Sequence, residues 1–349
     1  MNRLETNYGS RPPEIPSSVS SIILETAPEF GFRVSLDPVY GRAGQLTAPD
    51  GRRFYFRGTI FDLNTLGASE VARDKDYAAY FMESLGYPVP EGRAFYSDRT
   101  CEWLGSDLNK AAAYDYALKL RFPVIVKPNS RSQGRGVQKV HGEQEFFEAV
   151  ETVFNYDKVV LVQRPIAGAD YRILVLDDEV IAAYRRTPLA VVGDGESTIF
   201  DLLARKQEQF SVDGRDTKIN IRDRRIQAKL SNSQLGMSSV PGKGESVYLL
   251  DNANLSSGGD AEDVTDQIDE CIKEVAIRLT SDMGLRFCGV DVITPDPIDQ
   301  LVRDYTVIEI NSTPGVDYYT KMGIQQQLIV KNLYRKVLSA LANQSAIKV

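Results

Sequence analysis

Two segments near the C-terminus decide the fold, RFCGVDVIT at 286–294 and YTVIEINSTPG at 305–315. Both are short runs rich in Val and Ile, the pattern of buried strands, and the second ends in turn residues. Glu309 and Asn311 are two residues apart, so their side chains leave the same face of one strand. If the neighbouring strand brings Asp291 alongside, three oxygen donors converge into the partial shell that Mg²⁺ accepts. The alternative is a solvated strand face.

Further strands and helices are predicted on both sides of these segments. FPVIVKP at 122–128 reads as a strand, and DYRILVLDDEVIAAYRR at 170–186 reads as a hairpin that turns at Asp177 and Asp178. Amphipathic helices are predicted at 264–284 and from about 324 to 341. The pattern predicts an α/β fold. The proline-bearing residues 1–17 are expected to form a flexible tail.

A third helix is predicted within 68–92, with Lys75 near its start. Its apolar stripe is formed by four large side chains, and the helix ends at a glycine. The stripe residues are Tyr77, Tyr80, Phe81 and Leu85. From about 187 to 260 the chain is polar and rich in Gly and Arg, and we expect that stretch to be irregular apart from a helix at 199–210.

Composition excludes several classes of function. The net charge of -7 gives no general attraction to nucleic acid or to an anionic membrane. Three cysteines without CxxC spacing argue against a structural zinc site. His141 is the single histidine, which disfavours a Ser-His-Asp or His-metal mechanism. Without an apolar leader or membrane-length run, we expect a cytoplasmic protein.

A glycine-punctuated segment follows the strand that ends in Lys127. Gly134 and Gly136 would let backbone amides approach an anion, and Lys127, Arg131 and Arg135 add positive charge. This pattern is typical of a phosphate cradle. A Gly-rich surface turn with solvated arginines explains it equally well.

The hairpin at 170–186 carries a third group of charged residues. Asp170 and Arg172 are two apart at a strand start, and Arg186 ends the returning strand. Arginines at strand ends suit a phosphoryl or carboxylate group that must be held in line. A surface hairpin with charges at its rim is the alternative.

The order of these pieces resembles the ATP-grasp family, and within it the ligase domain of cyanophycin synthetases and of the bifunctional glutathione-forming ligases, in the D-alanine:D-alanine ligase superfamily. The likeness runs from about residue 70 to 320. It is carried by seven strings in the same order: ARDKDYAAYFMESLGYPVPEG, FPVIVKPNSRSQGRGV, VLVQRPIAGADYRILVLDDEVIAAYRR, VVGDGESTIFDLL, NANLSSGGDAEDVTD, CGVDVI and VIEINSTPG.

The resemblance implies a fold of two α/β lobes that clasp ATP. It divides the chain into a short N-terminal α/β unit at 18–70, a small lobe that forms the nucleotide lid at 71–162, and a large lobe at 163–349. The large lobe would hold the metal site and an acceptor-side insertion at 187–260.

The resemblance also implies a role for each matching residue. Nucleotide contacts would come from Lys75, Lys127, Ser130, Ser132, Gln133, Gly134, Gly136, Leu161, Gln163 and Asp170. Among these, Gln163 would face the adenine, where glutamate is usual in the family, and Asp170 would hold the ribose hydroxyls.

Arg172 and Arg186 would be catalytic, stabilising the phosphoryl group and the tetrahedral intermediate. D-alanine:D-alanine ligases carry an arginine two residues before the metal-binding aspartate, and Gly289 stands there in this chain. The metal ligands would be Asp291, Glu309 and Asn311. The acceptor side would include Asn254, Ser256, Ser257 and Gly258.

The implied activity is an ATP-dependent carboxylate-amine ligase that joins amino acids or small peptides through an acyl-phosphate. Its cofactors would be ATP and Mg²⁺, two ions for which Mn²⁺ can substitute, and a homodimer is expected. Arg215, Arg222, Arg224 and Arg225 would suit an anionic substrate or form a solvated loop. Because the chain stops at Val349, without the second module of cyanophycin synthetases, a single-step reaction is expected. The alternatives are an ATP-grasp kinase and a non-catalytic nucleotide-binding module.

Overall fold

The computed structural model describes residues 18–131, 134–215, 217–295, 297–300, 302 and 304–344. The predicted tail at 1–17 lies outside them. Within the described part the strands form a five-stranded and a four-stranded antiparallel sheet around a cavity, a second four-stranded antiparallel sheet near the N-terminus, and a small two-stranded ribbon. Helices pack on the three larger sheets, so the predicted α/β class is confirmed. No helix in these ranges is both long and apolar enough to cross a bilayer.

The N-terminal unit is a four-stranded antiparallel sheet covered by helices. Its elements are α1 (Ser18–Thr26), β1 (Arg33–Leu36), β2 (Ala43–Thr47), β3 (Arg53–Arg57) and β4 (Ile60–Phe61). Between β2 and β3 the chain turns at Asp50 and Gly51, where Gly51 adopts a φ of 86°. Phe54, Phe56 and Phe61 alternate onto one face and are buried in a core shared with the C-terminal helix.

The next segment forms a four-stranded antiparallel sheet in the order β5-β8-β6-β7. Its elements in chain order are α2 (Leu66–Arg73), α3 (Lys75–Ser84), β5 (Gly92–Tyr96), α4 (Asp98–Leu104), α5 (Lys110–Leu120), β6 (Val124–Pro128), β7 (Gln138–Val140), α6 (Glu143–Phe154) and β8 (Val159–Gln163). Helix α6 buries Phe146, Val150 and Val153 against this sheet, in a core that also receives α5.

The remainder is built on a five-stranded antiparallel sheet in the order β13-β10-β9-β14-β15. Its elements in chain order are β9 (Ala169–Leu176), β10 (Glu179–Thr187), β11 (Ala190–Val192), α7 (Ile199–Val212), α8 (Arg224–Asn232), β12 (Ser246–Tyr248), β13 (Asp260–Asp263), α9 (Glu270–Asp282), β14 (Phe287–Thr294), β15 (Thr306–Asn311), α10 (Asp317–Thr320) and α11 (Ile324–Ala342). Helix α9 packs on one face and α11 on the other. The predicted C-terminal helix is confirmed, whereas the helix predicted from 264 begins only at Glu270, because the Asp269 side chain caps it there.

The stretch from 187 to 260 is more regular than its composition predicts. It contains α7, α8 and the ribbon β11-β12, and it encloses a small core of its own that includes Leu189, Ile199, Leu203, Ile226 and Leu249. The expectation of an irregular region was therefore wrong, because apolar residues spaced widely in sequence converge in space.

The helix predicted around Lys75 also differs in the structure. Asp74 is extended, with ψ at 112°, and caps a new helix, so two helices replace one. The predicted stripe of Tyr77, Tyr80, Phe81 and Leu85 faces solvent. The buried face carries the smaller Ala78 and the flexible Met82 instead, since α3 lies close to β15.

Candidate functional site

A cavity of about 620 Å³ lies between the sheet β5-β8-β6-β7 and the five-stranded sheet, and both contribute to its wall. It brings together residues that are up to 243 positions apart in sequence, from Lys75 to Tyr318. The predicted site residues that line it are Lys75, Lys127, Gly134, Gln163, Asp170, Arg172, Arg186, Asn254, Ser256, Asp291, Glu309 and Asn311.

Asp291 lies at the centre of the charged part of the wall. Strand register places it opposite Arg172 on β9 and opposite Glu309 on β15, which meets the condition on which the predicted cluster depended. Asp291 is 3% exposed, and both its carboxylate oxygens accept from Arg172. Burial by itself would raise the pKa of Asp291, but Arg172 and Arg186 outweigh it and hold that pKa below its ordinary value.

Arg186 joins two carboxylates. Its Nη2 donates to Asp291 Oδ2 at 2.9 Å and to Asp170 Oδ1 at 2.5 Å, and its Nε donates to the same Asp170 oxygen at 2.9 Å. Burial opposes the charged form of Arg186, yet Asp170 and Asp291 raise its pKa. The guanidinium is therefore a fixed positive charge between them.

Gly289 explains how Arg172 reaches this position. A Cβ at residue 289 would lie 3.0 Å from Cδ of Arg172 and 3.1 Å from Cβ of Pro314. Gly289 and Asp291 leave the same face of β14, so the space that a side chain at 289 would fill is crossed by Arg172. The glycine and the arginine thus depend on each other.

Glu309 and Asn311 lie beside this cluster on β15. Lys75 Nζ is 3.3 Å from Glu309 Oε1, and the Asn311 amide satisfies its neighbours when its nitrogen donates to Glu309 and its oxygen accepts from Arg172. The strand register shifts by one residue between Val307 and Glu309, so Ile308 has no partner on β14. Ile308 also lines the cavity. Simple alternation along the sequence did not predict this bulge.

The three predicted metal ligands are two carboxylates and one amide. Within the ranges that the structure describes, no group of three or more His, Cys, Asp and Glu side chains is arranged to hold a metal ion. Any ion at this position would therefore depend on Asn311 and on oxygens that a ligand or water supplies.

Lys127 enters the cavity from β6 on the opposite sheet. It is 6% exposed, and no described residue forms an ion pair or hydrogen bond with its ammonium. Burial lowers the pKa of Lys127 to about 8, and the positive charge of Lys75 acts in the same direction, against Glu309 and Asp291. A buried ammonium without a partner is costly and suits a site that awaits an anion.

The glycine-rich segment after Lys127 packs differently at its two ends. The Ser130 amide and hydroxyl both donate to Asp157 Oδ2, at 2.9 and 2.7 Å, and Ser130 does not line the cavity. Gly136 lies against the phenol oxygen of Tyr156 instead, where a Cβ would come within 1.7 Å. Leu161 also lies outside the wall, and Ser132 and Gln133 are outside the described residues.

Gly134 touches the insertion at 187–260. It adopts a φ of 65°, and a Cβ there would lie 2.1 Å from Asn254 Oδ1 and 2.4 Å from Asn252 Nδ2. Its carbonyl accepts from Arg225 Nη1 at 3.0 Å, and Arg225 is held by Asp223. The glycine-rich loop at Gly134 to Gly136, called the loop over the cavity from here on, thus contacts the insertion on the other side of the site.

The segment at 252–259 forms the far wall. Asn254 and Ser256 line the cavity, whereas Ser257 and Gly258 do not. Arg215 supports this segment by donating to the Gly259 carbonyl at 2.6 Å.

The arginines expected to receive an anionic substrate have other positions. Arg215 stacks on Phe210 at 4.0 Å and Arg225 reaches Gly134, so both make internal contacts. Arg222 and Arg224 are exposed, and neither lines the cavity. The arginine-rich stretch therefore does not form the wall that faces a ligand.

Many of the cavity residues were missed from the sequence, among them Lys139, Tyr184 and Tyr318. Lys139 lies directly across from Ile125, which is itself across from Gln163, so the three form one row on the sheet. Tyr184 pairs with Arg172 in the same way, and Tyr318 follows β15. Register supplies the signal, and register is visible only once the strand order is known.

The charged residues of the wall are mostly basic. Seven basic side chains and four acidic ones line the cavity, a local excess of three positive charges within a protein of net charge -7. The basic residues are Lys75, Lys127, Arg131, Lys139, Arg164, Arg172 and Arg186, and the acidic ones are Asp170, Asp251, Asp291 and Glu309. The cavity wall is therefore locally basic in a protein whose net charge is negative.

Family models match two stretches of the chain. The model described as the D-ala D-ala ligase C-terminus matches residues 73–228, and the model described as a RimK-like ATP-grasp domain matches residues 251–332. Together they include every residue of the charged cluster.

Curated relatives and a solved structure agree with these matches. The glutathione biosynthesis bifunctional protein of Pasteurella multocida is 35% identical over 67% of this chain and 31% of its own length. Cyanophycin synthetase of Trichormus variabilis is 33% identical over 74% of this chain and 28% of its own length. The crystal structure of a bifunctional glutathione synthetase from Pasteurella multocida matches 88% of this chain and 42% of that chain, with a TM-score of 0.54 and 29% identity. This chain thus spans less than a third of the curated relatives' length.

Proposed function

This chain belongs to the ATP-grasp family, and from that premise we propose that it is a ligase that joins a carboxylate to an amine at the expense of ATP. The observation that carries the proposal is the convergence of Lys75 and Lys127 with Asp291 and Glu309 in one cavity between two sheets. Lysines and carboxylates meeting there suit a polyphosphate and its counter-ions.

The triphosphate would be held by the lysines and the loop over the cavity. Lys127 has no carboxylate partner among the described residues, so a phosphate oxygen would supply the missing contact. Lys75, now 3.3 Å from Glu309, would contact the same group. Gln163, in the row with Ile125 and Lys139, would face the base, and Asp170 would face the ribose.

The oxygen donors on β14 and β15 fit Mg²⁺. Asp291 and Glu309 are opposite each other in register, Asn311 is adjacent, and the two carboxylates are at present balanced by Arg172, Arg186 and Lys75. The two carboxylates thus already attract cationic groups, as the ligands of a metal ion must. When bound, the ion would neutralise phosphate charge as phosphoryl transfer proceeds. Two ions, or Mn²⁺ in their place, belong to the same proposal.

The proposed chemistry has two steps. First, a substrate carboxylate oxygen attacks the γ-phosphorus of ATP, the bond to the β-phosphate oxygen breaks, and ADP leaves. Second, an amine attacks the carbonyl carbon of the acyl-phosphate, the carbon–oxygen bond to phosphate breaks, and the amine loses a proton. Neither step needs a side-chain nucleophile, so the protein acts by positioning and by charge.

Arg172 and Arg186 are the proposed catalytic residues. Arg186 is buried and Arg172 is partly buried, the neighbouring carboxylates keep both charged, and both line the cavity. They would stabilise the negative charge on the transferred phosphoryl group and on the tetrahedral intermediate. The segment of Asn254 and Ser256 would border the acceptor. Amino acids or short peptides are the proposed substrates, because the matched relatives synthesise glutathione and cyanophycin.

The proposal is tested by measuring phosphate release from Mg·ATP in the presence of amino acids, singly and in pairs, with mass spectrometry of the product. A ligase releases phosphate only when both an acid and an amine are present. Release that never depends on an added amine would indicate a kinase, and a phosphorylated product would identify it. Binding of ATP without turnover on any pair would favour a non-catalytic module.

A matched pair of variants ties any activity to the site. Glu309→Ala should abolish phosphate release, while Glu262→Ala, an exposed glutamate on β13 of the same sheet, should leave it unchanged. Equal rates in the two variants would exclude this cavity as the active site. Light scattering of the purified protein tests the proposed homodimer.

A further inference from the structure

Asn129 follows the strand that carries Lys127 and hydrogen-bonds to the helix that begins with Lys75. It is 4% exposed. Its Nδ2 donates to Asp74 Oδ2 at 2.7 Å, and its Oδ1 accepts from the Asp76 amide at 3.0 Å. The two partners are the residues on either side of Lys75, so one buried amide contacts the backbone frame of both lysines.

Asp74 divides its two oxygens between separate tasks. Oδ1 caps α3 by accepting from the amides of Asp76 and Tyr77, at 3.1 and 3.0 Å. Oδ2 accepts from Asn129. The cap of α3 would be complete without Asn129, so the contact between Asp74 and Asn129 serves a link between elements rather than the helix itself.

The other end of the link is fixed to the sheet. The backbone amide of Asn129 donates to the Val159 carbonyl on β8 at 3.2 Å, and Lys127 pairs with Leu161 on the same strand. Lys75 and Lys127 carry like charges that repel each other, and each has a long side chain with many rotamers. Holding their backbones at a fixed separation sets the region in which the two ammonium groups can meet before a ligand arrives.

We propose that Asn129 is a positioning residue that locks the start of α3 to the end of β6, so that Lys75 and Lys127 converge on the same phosphate group of the nucleotide. The proposal rests on the proposed function, because the anion is ATP. Asn129 contacts no ligand itself. A purely structural asparagine would support folding and leave the affinity for ATP unchanged.

Exchanging the two side chains tests this link. Asn129→Asp places a carboxylate against Asp74, and Asp74→Asn places an amide donor against the Asn129 donor, so each single change breaks the 2.7 Å contact. The double variant restores it with donor and acceptor reversed, since the carboxylate introduced at position 129 still accepts from the Asp76 amide and Asn is as good a helix cap as Asp. Its net charge equals that of the unmodified protein.

Titration calorimetry with ATP and MgCl₂ at a temperature where every variant is folded supplies the readout. We expect each single variant to bind ATP about tenfold more weakly, the loss of a charge-assisted hydrogen bond, and the double variant to recover most of that loss. Asn109→Asp is the matched control. It adds the same charge at the cap of α5, where its oxygen continues to accept, and should bind ATP normally.

The possible outcomes separate the two proposals. If the single variants melt earlier but bind ATP as tightly as the unmodified protein, Asn129 has no positioning role and nucleotide binding stands. A folded double variant that stays as weak as the singles also overturns the link. If the unmodified protein binds no ATP, the proposed function fails and this role fails with it. Asn129→Ser, which adds no charge, provides the same comparison if Asn129→Asp does not fold.

Discussion

Lys127 combines a burial that opposes its charge with a position that requires it. Lys127 is 6% exposed, and its ammonium has no ion-pair or hydrogen-bond partner among the described residues that would neutralise it in the cavity. Its charge is therefore costly in the free protein and useful once an anion binds. Such a residue is expected to weaken the fold that carries it.

Replacing Lys127 by Met should separate these two effects. Met has a similar length and no charge, so we expect Lys127→Met to raise the melting temperature by a few degrees, about 1 kcal/mol of stability. ATP binding, measured by calorimetry, should weaken about a hundredfold. Lys119→Met, an exposed lysine on α5, should change neither quantity.

The stability gap between Lys127→Met and the unmodified protein should also narrow with pH. The folded pKa, about 8, lies below the ordinary 10.5, so the unfolded chain holds more protons between these values and the unmodified protein gains stability as pH rises through that window. Urea unfolding at pH 7 and pH 10 measures the gap. A lower melting temperature for Lys127→Met at pH 7, or a gap that widens, would contradict the assignment of an unfavourable buried charge.

Nucleotide affinity should depend on the same proton. Above pH 8 the lysine of the free protein is neutral and must take up a proton before it can contact a phosphate, so the dissociation constant for ATP should rise about tenfold per pH unit. Calorimetry from pH 7 to pH 9.5 in buffers of different ionisation enthalpy measures both the affinity and the protons taken up. A flat profile in the Lys127→Met variant is the control.

At the scale of elements, the loop over the cavity depends on one glycine. Gly134 combines a φ of 65° with close contact to Asn252 and Asn254, so Gly134→Ala should displace the loop from the insertion. We expect ATP to bind about tenfold more weakly while the melting temperature stays within about 2 °C, because exposed loops contribute little to global stability.

A second glycine separates backbone strain from steric contact. Gly105, after α4, has a φ of 62° and no atom within 4 Å of a Cβ. Gly105→Ala introduces the same left-handed strain without a collision, so it should bind ATP normally. If both variants lose affinity equally, the contact between the loop and the insertion is not what matters.

The sequence predicts the position of a residue correctly where the local pattern and the strand register coincide. Alternation placed Glu309 and Asn311 on one face, and the structure sets Asp291 directly opposite Glu309. The predicted hairpin at Asp177 is present, with Asp177 at a φ of 53°. The likeness of the seven strings predicted the ATP-grasp fold, which the matched families and the solved structure confirm.

The predicted positions of residues and helices are wrong where long-range packing overrides the local sequence pattern. The aromatic stripe of α3 faces solvent, and the face of the helix that packs near β15 carries Ala78 and Met82 instead. Helix α8 was missed since Arg224–Asn232 has few apolar residues, and two of them, Ile226 and Leu230, suffice to anchor it. Ser130 matched a motif, but its donors are satisfied by Asp157, which no local pattern indicates.

At the scale of the whole molecule, Asn64 links the N-terminal unit to the large sheet. Its Oδ1 accepts from the amides of Arg286 and Phe287, at 2.8 and 2.9 Å, and its Nδ2 donates to the carbonyls of Phe287 and Ser312, at 2.7 and 3.1 Å. Every hydrogen-bonding valence of the amide is used. These contacts fix the starting end of β14 beside the end of β15.

Asn64→Ala should therefore destabilise the entire protein. Four partly buried backbone groups would lose their partner, and we expect a loss of about 3 kcal/mol in the free energy of unfolding, measured with urea. Asn343→Ala, an exposed asparagine at the end of α11, should have little effect. A change of similar size in both variants would show that Asn64 does not join the two parts.

The segment at 187–260 has a hydrophobic core of its own, so its surface can change during evolution with little effect on the rest of the protein. Because Leu189, Ile199, Leu203, Ile226 and Leu249 pack chiefly on one another, the segment supports much of its own shape. Its outward-facing residues can then vary without disturbing the sheet that carries the charged cluster. A fold arranged in this way can acquire a new substrate preference when one self-supporting segment is exchanged. Grafting that segment between relatives in the laboratory would use the same property.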